Sequence, residues 1–335
     1  MILSGNRITI NDVAQALGIS KSTVSRAIAG NTRISQATRD RVNKYIEEHD
    51  YRPNIAAKAL VSKKTYNIGL ILPSDYHLMD MHFFQKCMLG VCEMASTLDF
   101  DVLVALTSDK DISQLERLVM QKKVEGLILT RTNVDDIAVE YLKDKGIPFI
   151  TIGTTRSPNV MQIDNDHYGA CKELTSILLS RGMKRVGLIG GNKAHMITQK
   201  RLGGFIDAFR ERGEEPDATL MFLDMDSNLM VETAVESLVE AKAGCILCMD
   251  DNICNCTLNK LRRMHIKVPR DIKVASFYNS SILENNIPAI TSLQFDAREL
   301  GVLACKMLLD RIDGKNVPNQ TTLSYEVSMK ESTKI

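Results

Sequence analysis

Apolar residues recur at helical spacing in three short stretches near the start of the chain. The three sets are Val13, Ala14 and Leu17, then Val24, Ala27 and Ile28, then Val42, Tyr45 and Ile46. Thr9 and Asp12 have the spacing of a capping box, and Gly18 provides a helix stop after the first stretch. The short turn before the second stretch forces the two helices to cross. The pattern therefore predicts a helix-turn-helix followed by a third helix.

The second predicted helix has a polar side with the chemistry of DNA recognition. Ser20 is placed to cap it, Gly30 to end it, and Ser35 to cap the third helix. The candidate DNA-binding residues on its first turns are Lys21, Ser22, Thr23, Ser25 and Arg26. Hydroxyls and amines bind phosphates, and an arginine can make two hydrogen bonds to guanine. Any solvent-facing helix is also polar, so the DNA-binding interpretation depends on the neighbouring predicted helices and on the excess of basic residues in this part of the chain.

Beyond Tyr66, short continuous apolar runs alternate with helical stretches. These runs are 68–72, 102–106, 126–129, 149–152, 186–189, 245–249 and 274–277. Continuous apolar strands separated by helices are typical of parallel sheets covered on both faces, and such sheets bind ligands beyond the carboxyl ends of their strands. About 270 residues exceed one comfortable core, so we expect an α/β domain of two lobes with a cleft between them.

Composition and charge narrow the class of protein. The 335 residues are 44% apolar, and no run reaches the roughly 18 to 20 residues that span a bilayer. The N-terminus lacks the apolar core of a signal peptide, so we expect a cytoplasmic protein with eight reduced cysteines. Residues 1–64 carry a net charge of +6 and the remainder −5. This asymmetry indicates either a polyanion partner or a solvated basic surface.

The sequence offers little support for a metal site or for catalysis. Cys245 and Cys248, followed by Cys254 and Cys256, invite a zinc interpretation. Residues three apart in a strand point to opposite faces, so we favour buried thiols and expect no metal. No nucleophile elbow or acid–base pair is apparent, and the six histidines are scattered. We therefore expect neither an enzyme nor a cofactor.

Two segments carry a family resemblance: SKSTVSRAIAG, which begins at Ser20, and YRPNIAAKAL, which begins at Tyr51. They resemble the headpiece and hinge of the LacI/GalR family of bacterial transcription regulators, and looser similarity covers nearly the whole chain. The resemblance implies a homodimer on near-palindromic operator DNA and a two-lobed domain shared with periplasmic sugar-binding proteins. It also implies a hinge helix and additional DNA-binding residues, namely Asn31, Arg33, Ala57, Lys58 and Leu60.

The expected organisation follows from this resemblance together with the pattern. We expect a helix-turn-helix headpiece over 1–50, a hinge helix and linker over 51–64, and an effector-binding and dimerisation domain of two lobes over 65–335. The family fold implies three crossings of the chain between the lobes. We place them near 164–166, 291–293 and 320–322.

The resemblance also nominates the residues of an effector site. They are Ser74, Phe83, Phe84, Thr130, Arg131, Arg201, Asp250, Tyr278 and Phe295, with Arg201 on the family's ligand-binding arginine. Many sugar-responsive relatives have acids where this chain has Gly153 and Tyr278. Their absence, with Arg131 and Lys193 nearby, favours an anionic or phosphorylated ligand, although Asp250 and its neighbour Asp251 partly offset that charge.

The expected function is that of a sequence-specific regulator of transcription, a repressor, controlled by a small molecule such as a sugar or an anionic sugar derivative. One alternative is a catabolite-control regulator with a phosphocarrier protein as coregulator. Another is a solute-binding protein for transport, which the basic headpiece and the missing export signal disfavour.

Overall fold

The computed structural model describes residues 8–28, 32–49, 51, 64–75 and 82–334. They belong to two compact units, Met1–Thr65 and Tyr66–Ile335. Among these residues, none of the helices combines the length and the apolar character needed to cross a membrane.

The first unit contains the three predicted helices, α1 (Ile10–Leu17), α2 (Lys21–Ile28) and α3 (Gln36–Glu48). The capping box of α1 is confirmed, because the Thr9 backbone N–H donates to the Asp12 carboxylate at 2.7 Å and the Asp12 N–H donates to Thr9 Oγ1 at 3.4 Å. Gly18 ends α1 in the left-handed conformation with φ 65°. Ser20 accepts a hydrogen bond from the Thr23 N–H at 3.1 Å, as a cap of α2 does.

One buried valine from each helix forms the centre of this small core. Val13, Val24 and Val42 are fully buried, and Tyr51 covers them from the following segment. Arg41 on α3 donates to the Leu17 carbonyl at 2.9 Å and so ties the third helix to the turn. The helical periodicity of the sequence therefore identified the core of this unit correctly.

The second unit alternates strands and helices. In chain order its elements are β1 (Asn67–Pro73), α4 (His82–Thr97), β2 (Asp101–Thr107), α5 (Ser113–Met120), β3 (Gly126–Leu129), α6 (Ile137–Lys145), β4 (Phe149–Ile152), β5 (Met161–Asn165), α7 (His167–Ser180), β6 (Val186–Ile189), α8 (Met196–Arg210), β7 (Met221–Phe222), α9 (Asn228–Glu240), β8 (Cys245–Cys248), α10 (Asp251–Arg263), β9 (Lys273–Ser276), α11 (Ser281–Glu284), β10 (Thr291–Gln294), α12 (Ala297–Ile312), β11 (Gln320–Leu323) and β12 (Glu326–Ser328).

These elements form two lobes, each built on a six-stranded sheet. The first sheet has the order β11-β5-β4-β3-β1-β2 and is parallel throughout. The second has the order β12-β10-β9-β8-β6-β7, with only β12 antiparallel. Helices α4 and α12 cover one face of the first sheet, and α5 and α6 cover the other. In the second lobe α7 and α8 face α9 and α10 across the sheet.

Within the described ranges, the chain passes between the lobes three times, as expected. The first crossing follows β5 and lies within the predicted 164–166. The second lies between β10 and α12, and the third between β11 and β12, each a few residues later than 291–293 and 320–322. The strands continue through the predicted positions because Leu293 fills the core of the second lobe and Thr321 pairs with β5.

Candidate functional site

A cavity of about 150 Å³ lies between the lobes, at the carboxyl ends of their strands. It is large enough for about ten water-sized volumes. The residues that line it are Phe83, Phe84, Thr130, Arg131, Thr132, Ile152, Gly153, Asp164, His167, His195, Ile197, Arg201, Asp250, Asp251, Asn252 and Tyr278. Both lobes therefore contribute to one wall of mixed polar and aromatic character.

The cavity brings together seven of the nine effector residues expected from the sequence. Ser74 and Phe295 are the exceptions. Ser74 lies exposed beyond β1, where its N–H donates to the Thr107 carbonyl at 2.9 Å. Phe295 lies outside the wall, with its ring centroid 4.5 Å from that of His167 and 6.4 Å from that of Tyr278. Phe295 thus supports two lining residues instead of lining the cavity itself.

Arg201 presents a buried guanidinium to the cavity. It projects from α8 and is only 8% exposed. Its Nη1 donates to the Met249 carbonyl, whereas its Nε has no hydrogen-bond partner in the part of the chain that the structure describes. A buried cationic donor without a partner is costly, and a ligand oxygen would remove that cost. Arg201 is therefore the strongest candidate anchor for a ligand.

Asp250 caps a helix, and its carboxyl group has a raised pKa. Its carboxylate caps α10 by accepting the Ile253 N–H at 2.8 Å. Burial, followed by the negative charge of Asp251, raises the pKa of Asp250 to about 6. The Asp251 carboxylate in turn lies 3.2 Å from Nδ1 of His82, which belongs to the opposite lobe. This end of the cavity is thus acidic and spans the cleft.

The positive charge expected from Arg131 and Lys193 is already neutralised. Nη1 of Arg131 lies 2.7 Å from both carboxylate oxygens of Asp75, and its Nη2 lies 3.0 Å from Asp109. Lys193 lies outside the cavity wall and pairs with Asp224 at 2.9 Å. The cavity consequently offers a ligand less positive charge than the sequence indicates.

Aromatic rings supply the apolar part of the wall. The ring centroid of Phe83, on the first lobe, lies 5.3 Å from that of Phe84 and 6.0 Å from that of Tyr278, on the second. Burial raises the pKa of Tyr278, so its hydroxyl remains protonated and able to donate. Such a surface suits a ligand with apolar faces and hydroxyl edges.

Several lining residues were not expected from the sequence, Asp164 and His167 among them. Asp164 accepts hydrogen bonds from Thr154 Oγ1 at 2.9 Å and Lys200 Nζ at 3.3 Å, and burial raises its pKa. Burial lowers the pKa of His167 well below its usual value, so its ring is neutral. Their position in the sequence could have identified them as lining residues, because both lie at the first crossing between the lobes.

Gly153 occupies a place where an acidic side chain does not fit this backbone. Its φ is 110°, and a Cβ there would approach Thr132 Oγ1 to 2.8 Å. The absence of the acid expected from the family resemblance is therefore built into the local conformation. Because Asp164 also lines the cavity, carboxylate chemistry is nevertheless present nearby.

The described residues do not support the zinc alternative. Cys245 and Cys248 belong to the cores on opposite faces of their sheet, as strand geometry predicts. Within the described ranges, one group has metal-ligand geometry, namely Asp75, Asp109 and His195, whose ligand atoms lie within 4.8 Å of one another. The Arg131 guanidinium already binds both carboxylates, so a cation there would face positive charge.

The exposed face of α2 has the expected composition. Lys21, Ser22, Ser25 and Arg26 are exposed and Thr23 is half-buried, while Val24 and Ala27 face the core. Arg33 is also exposed. Four other expected DNA-binding residues lie outside the described residues, namely Asn31, Ala57, Lys58 and Leu60.

Known proteins resemble both parts of the chain. Residues 9–54 match bacterial regulatory proteins of the lacI family, and residues 175–333 match a periplasmic binding protein-like domain. The HTH-type transcriptional regulator MalR of Streptococcus pneumoniae is 34% identical over 206 residues, which is 61% of this chain and 63% of MalR. Catabolite control protein A of Staphylococcus xylosus is 26% identical over 333 residues, which is 98% of this chain and 99% of that protein.

Solved structures extend the likeness to the whole fold. The complex of the transcriptional regulator CelR with cellobiose is 26% identical, with a TM-score of 0.74 over 97% of this chain and 100% of that chain. The lac repressor dimer bound to operator has a TM-score of 0.80 at 20% identity, over 98% of this chain and 99% of that chain. The chain therefore joins a headpiece of the lacI family of bacterial regulatory proteins to a periplasmic binding protein-like domain.

Proposed function

We propose that this protein represses transcription by binding operator DNA as a homodimer, and that a small sugar bound between the lobes controls its operator affinity. The observation that carries the proposal is the buried Arg201 guanidinium, whose Nε faces the cavity between the lobes and lacks a hydrogen-bond partner among the described residues. The chain that forms this cavity also carries a helix-turn-helix with an exposed polar recognition face. Because its partner would be chromosomal DNA, we place the protein in the cytoplasm.

The proposed DNA contacts begin at the N-terminal turns of α2. Lys21, Ser22 and Ser25 would bind phosphates, and Arg26 would read a guanine in the major groove. A homodimer presents two such helices related by a two-fold axis, so the operator should be near-palindromic. The hinge proposed over 51–64 would add Ala57, Lys58 and Leu60 in the minor groove.

The cavity chemistry favours a neutral sugar over a phosphorylated one. Carboxylates of Asp164, Asp250 and Asp251 line the wall, and Arg131 is already paired with two acids. Arg201 remains to donate to a ring or hydroxyl oxygen, while the aromatic rings can cover the apolar face of a sugar. CelR, which is 26% identical, was solved with cellobiose, so neutral disaccharides are the first ligands to test.

Control of DNA affinity follows from the position of the cavity between two lobes. A ligand that contacts both walls binds best at one lobe spacing, and it therefore stabilises that conformation. If the two conformations differ in operator affinity, linkage requires that operator binding also change the affinity for the ligand.

Two measurements test this proposal. Selection of DNA sites by the full chain should return a dyad, and Arg26→Ala should cost about 1 to 3 kcal/mol and relax one base position. Lys44→Ala is the matched control, because Lys44 is a basic headpiece residue on the exposed side of α3 and its substitution should weaken DNA binding only slightly.

Calorimetry with cellobiose, maltose, glucose and glucose 6-phosphate should show binding of a neutral sugar that changes operator affinity. Selected sites without a dyad would refute the proposed DNA recognition.

A second candidate function is catabolite control with a phosphocarrier protein as coregulator. The similarity to Catabolite control protein A, which covers almost the full length of both chains, favours it. Fluorescence anisotropy with operator DNA should then show tighter binding on addition of the phosphorylated phosphocarrier protein of the same host. A sugar response without a phosphocarrier response supports the first function, and the reverse supports this one.

A further inference from the structure

A short backbone pairing joins the two lobes across the cavity, away from the three crossings. The Val134 N–H donates to the Ala194 carbonyl at 2.8 Å, and the Met196 N–H donates to the Thr132 carbonyl at 3.0 Å. Between these bonds, Asn133 and His195 form an antiparallel bridge. We call the segments 132–134 and 194–196 the cleft latch.

The cleft latch lies at a distance from the segments that connect the lobes. The crossings leave the sheets at β5, β10, β11 and β12, which are the first two strands at one edge of each sheet. The latch segments instead follow β3 and β6, the fourth and fifth strands from that edge. An opening motion about the crossings would therefore separate the two halves of the latch.

Each half of the latch is held in shape by its own lobe. In the first lobe, the Asn133 N–H donates to the Asp136 carboxylate at 2.9 Å, and Asn133 Nδ2 donates to Asp109 at 3.0 Å. In the second, the Ala194 N–H donates to Asn192 Oδ1 at 2.8 Å. These bonds do not depend on the other lobe. Because neither half must refold, the pairing can break and form again as a unit.

The cleft latch is also part of the cavity wall, since Thr132 and His195 both line the cavity. His195 is 4% exposed, and its Nε2 lies 3.8 Å from Asp109 of the opposite lobe. Opening the latch would thus bring the buried wall into contact with water. We propose that the cleft latch is the closure device of the cavity, and that its opening is the step that admits and releases the ligand.

Met196→Pro removes one latch bond with little other change. Met196 is the first residue of α8, where proline is favoured because the N–H is not used by the helix. The preceding residue, His195, has φ −80° and ψ 131°, which a following proline tolerates. The substitution therefore deletes the donor to the Thr132 carbonyl.

Two control variants isolate the effect of this bond. Met196→Ala shortens the same side chain but keeps the N–H. Asn228→Pro places a proline at the first position of α9, after an extended Ser227 with φ −143° and ψ 154°, on an element that contributes nothing to the latch. Circular dichroism and thermal melting of the full chain check that all three variants fold.

Hydrogen exchange of the Val134 amide reports the latch without any ligand. This amide should be protected in the wild type, and Met196→Pro should speed its exchange about two- to tenfold, the factor expected for one hydrogen bond. Both control variants should match the wild type. An unprotected Val134 amide in the wild type, which needs no variant, would overturn the proposal, as would an unchanged rate in a folded Met196→Pro.

The role of the latch in ligand exchange rests on the proposed function and is tested separately. With cellobiose as the probe, stopped-flow mixing should show that association and dissociation both become faster in Met196→Pro. If cellobiose binds with unchanged rates, the latch does not control entry. If none of the sugars in the calorimetric panel binds the wild type, the proposed function fails, and the exchange of Val134 still decides whether the latch exists.

Discussion

Two adjacent glycines of α8 should respond to alanine with opposite signs. A Cβ on Gly204 would lie 2.3 Å from the Tyr168 carbonyl oxygen and 3.0 Å from the Lys172 nitrogen, both backbone atoms of α7. A Cβ on Gly203 would meet only the Tyr168 ring, at 3.5 Å. We therefore expect Gly204→Ala to destabilise the protein and Gly203→Ala to stabilise it.

The magnitudes follow from these contacts. Alanine improves helix propensity by about 0.8 to 1.0 kcal/mol at either position. At Gly204, however, the helices must separate by about 0.7 Å to restore a contact of 3.0 Å, and overpacking of this kind costs roughly 1 to 3 kcal/mol. The backbone cannot rotate away, so we take the upper end and expect a net loss of about 2 kcal/mol. The melting temperature should fall by roughly 4 to 8 °C for Gly204→Ala and rise by roughly 2 to 4 °C for Gly203→Ala.

Differential scanning calorimetry of the full chain measures both changes against the wild type. The same helix carries Arg201, so displacement of α8 should also weaken sugar binding in Gly204→Ala and leave it unchanged in Gly203→Ala. Shifts of the same sign in the two variants would refute the inference that close packing of α7 and α8 requires Gly204.

Three other substitutions test the charge of the cavity, its anchor and the hinge. The pKa of Asp250 is raised to about 6 from an ordinary 3.8, so its stabilising contribution is complete below pH 3.8 and is lost as the pH rises through 6. Asp250→Asn keeps the helix cap and removes the buried charge. Urea unfolding should show that the free energy of unfolding rises by on the order of 3 kcal/mol at pH 7 and depends less on pH between pH 4 and 6. An unchanged pH dependence would contradict the raised pKa of Asp250. Arg201→Met should weaken sugar binding about ten- to hundredfold in calorimetry, with a melting temperature close to that of the wild type; a large drop in melting temperature with intact binding would instead indicate a structural role. In the minor groove, Leu60 of the proposed hinge would enter between two base pairs and so bend the operator. Leu60→Ala should therefore reduce operator bending in a circular-permutation gel and leave sugar binding intact; unchanged bending would exclude this role.

Local signals in the sequence were sufficient for the headpiece and for most strands. A capping box and helical periodicity can both be recognised from residues a few positions apart. The structure confirms the capping box of Thr9 and Asp12 and the burial of Val13 and Val24. The sequence pattern missed the strand Met161–Asn165, which carries the polar residues Gln162, Asp164 and Asn165, and Asp164 lines the cavity.

The arrangement of charges in the cavity was beyond local reasoning. Arg131 meets Asp75 and Asp109 only because β1, β2 and β3 lie side by side, so its neutralisation cannot be inferred from spacing. His195 likewise enters the wall only when the two lobes approach each other. Pairings between distant segments are a property of the fold, and a single sequence carries no direct signal of them.

The order of strands has a consequence for how the chain folds during synthesis. The second lobe is almost continuous, from α7 to β10, whereas the first lobe requires α12 and β11, which leave the ribosome after it. The second lobe can therefore assemble its core while the first still exposes the apolar surface that α12 will cover. A premature stop at residue 315 would remove an edge strand from both sheets at once. Nascent chains that end there should accordingly depend on chaperones, because both sheets lack an edge strand.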